Sequence, residues 1–216
     1  MHPVCAVFTG DLIGSRDASA DAVESSMTVL KETADMLGDD LDIDLRFSRH
    51  RGDGWQILLT RPEALYEAYL AFVSRQQAHD DSLHTKISIG LDTVSHAGTR
   101  DLSDASGKAF VASGDMMEHL STSKGSLRVA ISGQGAQTWQ MGLLRVSDWM
   151  AQNWSTHQSE AVALYLLRRD LRANADRAAA LGISRQAYEA RFHSSGFPAL
   201  ADAREAFWEH KYETAA

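Results

Sequence analysis

Gly10-Asp11 and Gly52-Asp53-Gly54 set two aspartates among glycines at widely separated places in the chain. Two carboxylates of this kind suit one or two hard divalent cations held partly by substrate phosphates. Gly10, Gly14, Gly52 and Gly54 carry no side chain to keep backbone amides away from those phosphates. Each aspartate alone is ordinary turn chemistry. The pair matters only if the fold brings the two together.

The elements around them predict that it does. Val4 to Thr9 is a short apolar run stopped by Gly10-Asp11, the profile of a buried central strand. From Asp21, with Glu24 as a capping-box partner, Val23, Met27, Leu30, Ala34 and Leu37 recur at helical spacing and stop at Gly38. Leu41, Ile43, Leu45 and Phe47 alternate with polar residues, as a strand with one wet face does. Arg51-Gly52-Asp53-Gly54 turns this strand into a second one, Trp55 to Thr60, forming a hairpin. Pro62 opens a helix carrying Leu65, Tyr69, Phe72 and Val73, and Lys86 to Leu91 reads as the next strand. A helix at about 107–120 and a strand at 127–132 extend the set. The order is that of the split βαβ or ferredoxin-like fold, of α+β class. In it the third strand lies antiparallel beside the first, so the hairpin tip with Asp53 falls next to Asp11 at the end of strand one.

Composition bounds the partners. The chain of 216 residues is 44% hydrophobic and 23% charged, enough apolar mass for a packed core. Lys and Arg number 21 against 29 acids, net −8, the wrong sign for a general coating of nucleic acid or anionic membrane. The single Cys5 excludes an intramolecular disulfide and any cysteine-based zinc cluster. No apolar run approaches the ~20 residues of a membrane span. The first residues lack signal-peptide character, and the expectation is a cytoplasmic protein. Nine histidines show no metal-ligand spacing, and only His50 falls beside the two aspartates.

The stretch Gly10-Asp11-Leu12-Ile13-Gly14-Ser15-Arg16, followed by Arg51-Gly52-Asp53-Gly54-Trp55-Gln56, resembles the SatD-type family of small bacterial proteins. More distantly it is similar to class III nucleotidyl cyclase and GGDEF-type domains, over about residues 4 to 132. The resemblance implies that Asp11 and Asp53 bind Mg²⁺ or Mn²⁺ with help from the Leu12 carbonyl. It implies a nucleoside triphosphate as ligand, touched by Gly10, Leu12, Gly14, Ser15, Arg16, Gly52 and Gly54. Arg49 stands where the cyclases often carry a purine-selecting lysine, and keeps its charge with a different geometry. Val111 and Asp115 stand where the cyclases place a transition-state asparagine and arginine. Valine cannot donate a hydrogen bond, and aspartate repels charge growing on phosphate. Losing one such stabiliser costs about 10²–10³ in rate. Nucleotide and metal binding are therefore expected more strongly than turnover, with a nucleotidyl cyclase or transferase activity as the alternative and a non-catalytic interaction module as the third reading.

The sequence changes character near Trp149 to Thr156, and the expected boundary separates domains 1–150 and 151–216. Beyond it only helical patterns occur. Residues 173–192 resemble a helix-turn-helix, with Ala178 at the close approach, Leu181-Gly182-Ile183 at the corner and Ser184 capping a second helix. That helix is expected to present Arg185, Gln186, Tyr188, Glu189 and Arg191 to DNA. Residues 168–193 hold six arginines against three acids, net +3. Trp139, Trp149 and Trp154 are expected to pin the junction. The expectation is a bacterial regulatory protein, dimeric, with a cyclase-like domain and an all-α DNA-binding domain.

Overall fold

The computed structural model describes residues 3–50, 52–99, 101–122 and 127–213. The expected hairpin residue Arg51 lies outside the described residues. Strand β1 (Val4–Leu12) leads into helix α1 (Ala20–Leu41), then β2 (Leu45–Arg49), β3 (Gly54–Leu59), α2 (Leu65–Gln77) and β4 (Thr85–His96). The short β5 (Ser106–Gly107), α3 (Lys108–Thr122) and β6 (Val129–Ser132) follow. The sheet order is β2-β3-β1-β4-β5, with β6 parallel to β4 and the β1–β3, β1–β4 and β2–β3 pairs antiparallel. This is the mixed arrangement expected of the split βαβ order.

Strand β1 is buried on both faces, and its alternation divides the core in two. Val4, Ala6, Phe8 and Leu12 join α1 and α2 in one apolar cluster, where Phe8 and Trp55 each pack on Phe72. Cys5 and Val7 face the other way, against Leu58, Leu102 and Ala109. Helix α3 crosses this second face so closely that a Cβ on Gly90 would meet the Ala109 carbonyl at 2.0 Å.

Strands β1 and β4 run longer than the expected Val4–Thr9 and Lys86–Leu91, and both ends of α1 differ from expectation. The N-cap of α1 is Ser19, whose hydroxyl accepts from the Ala22 amide at 3.1 Å, rather than Asp21. The helix runs through Gly38 to Leu41 and ends at Asp42, which takes the left-handed conformation (φ 51°) in place of a glycine. Buried Leu41 therefore closes the helix and does not begin the strand. Glycine permits a helix stop without requiring one.

Among the described residues five α-helices follow: α4 (Thr138–Ala151), α5 (Thr156–Leu167), α6 (Asn174–Ala180), α7 (Arg185–Ser194) and α8 (Phe197–Glu209). The apolar cluster on α1 and α2 continues without a break across residue 150 into Trp154, Val162, Leu166, Phe197, Leu200 and Phe207. Phe207 stacks on Tyr66 at 4.7 Å, and Trp154 donates from its indole to the Ser195 carbonyl at 2.7 Å. Trp139 leans on Phe207, but Trp149 is 70% exposed and does not pin the junction as expected. Among the described residues no helix is long and apolar enough to cross a membrane.

Candidate functional site

Asp11 is the penultimate residue of β1 and stands opposite Gly54 of β3 in register. The Leu12 amide donates to the Asp53 carbonyl at 3.3 Å, so the hairpin tip is bonded directly to the end of the first strand. The two aspartates are thus held on one sheet edge by backbone pairing. A buried relay fixes the Asp11 backbone from behind. Trp55 donates from its indole to Thr85 Oγ1 at 3.1 Å, and that hydroxyl lies 3.0 Å from the Asp11 carbonyl it donates to.

In front of the pair opens a cavity of about 450 Å³, lined by Asp11, Leu12, Gly14, Ser15, Arg16, Asp53 and Lys86 among others. Partial burial raises the Asp11 pKa above the ordinary carboxylate value, and the neighbouring Asp53 charge raises it further, while Lys86 and Arg16 pull it back. Ser15 donates its hydroxyl to Asp53 Oδ2. Gly14 holds φ +77° with open space around it, a backbone that favours glycine at the start of the turn closed by the Asp17 amide on the Gly14 carbonyl at 3.1 Å.

The donors fit a hard cation. Both candidate side chains, Asp11 and Asp53, are carboxylates. Among the described residues no group of three or more His, Cys, Asp or Glu gathers to hold a metal. Two carboxylates leave coordination positions for water or for ligand phosphate, as Mg²⁺ and Mn²⁺ sites commonly do.

Other expected residues fall elsewhere. Gly10 does not face the cavity: a Cβ there would lie 2.0 Å from the Trp55 ring, so its bareness serves packing. Arg49 turns away, donating to the Gly52 carbonyl at 2.9 Å and to Glu24 at 2.8 Å. Gly52 (φ +74°) and Gly54 shape the hairpin without lining the cavity. His50 bonds Gln56 across the hairpin at 2.9 Å. Val111 is 63% exposed on α3 and Asp115 is exposed on the same helix, and neither lines the cavity.

Lys86 and Ser121 were not legible as site residues. Lys86 faces Asp11 across the β1–β4 register and donates to the Leu120 carbonyl of α3 at 3.3 Å. Its position follows from the strand order, since β4 borders β1 and its first residues must meet the last of β1.

At the other end of the chain, α6 and α7 meet at a corner where Gly182 has φ +66° and Ser184 caps α7 through the Ala187 amide at 3.1 Å. Arg185 and Gln186 are exposed. Tyr188 is a correction: it is fully buried, with its hydroxyl donating to the Ala161 carbonyl at 3.2 Å, because its helix face packs on α5. Glu189 is tied to Arg185 at 2.8 Å, and Arg191 to Glu160 at 3.1 Å. The net +3 of this stretch is not a free basic face. Arg168 pairs with Asp170, Arg169 with Glu67 and Asp40, and Arg177 lies buried over the Tyr165 ring.

No protein-family model matches the chain, and no curated protein does; the SatD resemblance gains no support from either. Among solved structures, the catalytic core of a rhodopsin-guanylyl cyclase with converted specificity, in complex with ATPalphaS, is similar at 17% identity and a TM-score of 0.44, covering 61% of this chain and 78% of that one. A bacterial light-regulated adenylyl cyclase is similar at 13% identity and a TM-score of 0.44, over 61% and 77%. The active GGEEF domain of a diguanylate cyclase from Vibrio cholerae is similar at 16% identity and a TM-score of 0.38, over 60% and 83%.

Proposed function

We propose that this chain binds a nucleoside polyphosphate together with Mg²⁺ or Mn²⁺ at the end of β1, with Asp11 and Asp53 as the metal ligands. One observation carries the reading: two carboxylates converge at the rim of a cavity that Arg16 and Lys86 also line. Carboxylates alone would suit a bare cation, and cations alone a bare phosphate. Both together suit a phosphate chain that arrives with its metal. The turn at Gly14 opens beside them, and Ser15 donates its hydroxyl to Asp53.

Binding is favoured over turnover. Val111 and Asp115, which stand where the cyclase resemblance expects a hydrogen-bond donor and a cation, are a hydrocarbon and an acid and do not line the cavity, and Lys86 is partly engaged by the Leu120 carbonyl. The test is calorimetric titration of the chain with ATP and GTP in Mn²⁺ or Mg²⁺, followed by chromatography of the same mixtures. A metal-dependent binding isotherm that is lost in Asp53→Asn, with the nucleotide recovered unchanged, is the expected result. No binding of either nucleotide in either metal overturns the reading. A new product that disappears in Asp53→Asn moves it to nucleotidyl transfer.

A further inference from the structure

A second cleft, of about 260 Å³, lies between α1, α2 and α5 and is closed at one end by the α6–α7 corner. It shares no residue with the Asp11–Asp53 cavity. Its floor is apolar, with Met36 from α1, Leu164 from α5 and Leu181 from the corner. Its charged groups are Arg75, His79, Glu160 and Arg168.

Three of these four are accounted for. Glu160 is held by Arg191 and His157, each at 3.1 Å. Arg168 is paired with Asp170 at 2.8 Å. Burial and the Arg75 charge keep His79 below the ordinary histidine value, so its ring is neutral at neutral pH. Arg75 is different. Its one ion pair, with the exposed Glu32, is long at 3.4 Å, and its Nε is buried with no partner among the described residues. The accessible part of its guanidinium lines the cleft beside that long contact, so an anionic ligand can add a charge-assisted bond there while Nε stays buried.

We propose that this cleft binds a small organic carboxylate, its apolar body on Met36, Leu164 and Leu181 and its carboxylate against Arg75. An inorganic anion would leave the apolar floor bare, and a neutral apolar molecule would leave the accessible part of the Arg75 guanidinium without an anion. A polyphosphate would bring several charges to a cleft with one available cation. The guanidinium fork matches a carboxylate in geometry as well as charge. Because the floor joins α1 to the α6–α7 corner, the ligand ties the C-terminal helices to the sheet layer.

The probes are octanoate and benzoate, with octanol and inorganic phosphate as controls, measured on the full chain by ligand-observed NMR and thermal shift. Both carboxylates are expected to bind and to raise the melting temperature, and both controls to do neither. Arg75→Gln is expected to weaken octanoate about tenfold or more, as loss of a charged hydrogen bond does. Leu181→Trp, at a half-buried corner position, fills the cleft and is expected to abolish binding; it carries the test if Arg75→Gln does not fold by circular dichroism. Absence of carboxylate binding at millimolar concentration overturns the proposal. So does octanol binding as well as octanoate, or octanoate binding that survives in a folded variant. None of these outcomes depends on whether nucleotide binds at Asp11.

Discussion

Glu67 has no exposed surface, and Arg169 closes over it with Nη2 at 2.8 Å from each carboxylate oxygen. Trp208 donates to the same carboxylate at 3.0 Å and Arg204 at 3.4 Å. One residue of α2 thereby gathers the segment after α5 and the last helix. Removing one partner of a buried pair strands the other charge, at a cost of about 3–5 kcal/mol. Arg169→Ala is expected at the low end of that range, because Arg204 and Trp208 remain. Glu67→Gln in the Arg169→Ala background should recover part of the loss by removing the stranded charge. Urea unfolding at neutral pH measures both, and an Arg169→Ala midpoint equal to the parent's refutes the lock.

Gly10 and Trp55 predict a coupled loss of stability and metal binding. A Cβ at Gly10 collides with the indole at 2.0 Å, and that indole supports the Asp11 backbone through Thr85. Gly10→Ala should cost about 1–3 kcal/mol by overpacking and weaken Mn²⁺ binding with it. Trp55→Phe in the same chain should restore part of the stability by making room. Gly14→Ala meets no neighbour and should cost only the left-handed backbone penalty, about 1–2 kcal/mol. Equal behaviour of the two glycine variants would argue against the packing role.

The sheet and the meeting of Asp11 with Asp53 were legible in sequence because both rest on period and order. Alternation marked the strands, and the split βαβ order placed the hairpin tip at the end of β1. What was not legible rests on side-chain packing between distant elements. Nothing in the spacing of Gly10 reveals that an indole lies across it, and nothing around Arg49 reveals Glu24 as its partner. The basic stretch at 168–193 looked available because Glu67 and Glu160, which neutralise part of it, lie outside it in the chain. Helix α4 escaped because its polar, glycine-containing start carries no clear capping signal; the Gln140 side chain reaches back instead and accepts from the Gln137 amide at 2.8 Å.

Asp11 should make the metal-free protein less stable as pH rises. Its folded pKa is raised by burial first and by Asp53 second, so the folded state holds the proton more tightly than the unfolded chain does. Its contribution is fully present below the unfolded value near 3.8 and is lost as pH rises through the folded one. Asp11→Asn in EDTA should therefore be more stable than the parent at neutral pH, with the gap closing in acid. Mn²⁺ should stabilise the parent and not the variant. Thermal melts across pH decide it; a variant less stable than the parent at neutral pH contradicts the sign.

A DNA contact through α7 would have to use Arg185 and Gln186, the exposed residues at its start. Substituting Arg191 does not test such a contact cleanly, because Arg191 also holds Glu160 of α5 at 3.1 Å. Arg191→Ala should change melting behaviour whether or not DNA is present. Arg185→Ala should leave stability within about 0.5 kcal/mol, as exposed helix pairs do. Gel retardation against salt with Arg185→Ala, Gln186→Ala and both together is the informative experiment. A shift insensitive to these changes places any DNA contact elsewhere.

Lys86 separates a metal–phosphate site from a simple cation site, because its removal should move the two affinities in opposite directions. Its ammonium lies beside Asp11 and lowers that carboxylate's proton affinity, and by the same field it repels a bare cation. Lys86→Ala should therefore strengthen binding of Mn²⁺ alone, several-fold at low salt. The same change removes a positive group from the wall of the cavity where phosphates would lie, and should weaken the Mn²⁺–nucleotide complex by a comparable or larger factor. Lys86→Arg should keep both near the parent. If Lys86 served only to hold the Leu120 carbonyl and the end of α3, its loss would loosen the site and lower both affinities together. Mn²⁺ titration followed by electron paramagnetic resonance, run beside nucleotide calorimetry, reads the two signs, and a parallel decrease in both would show that Lys86 is structural.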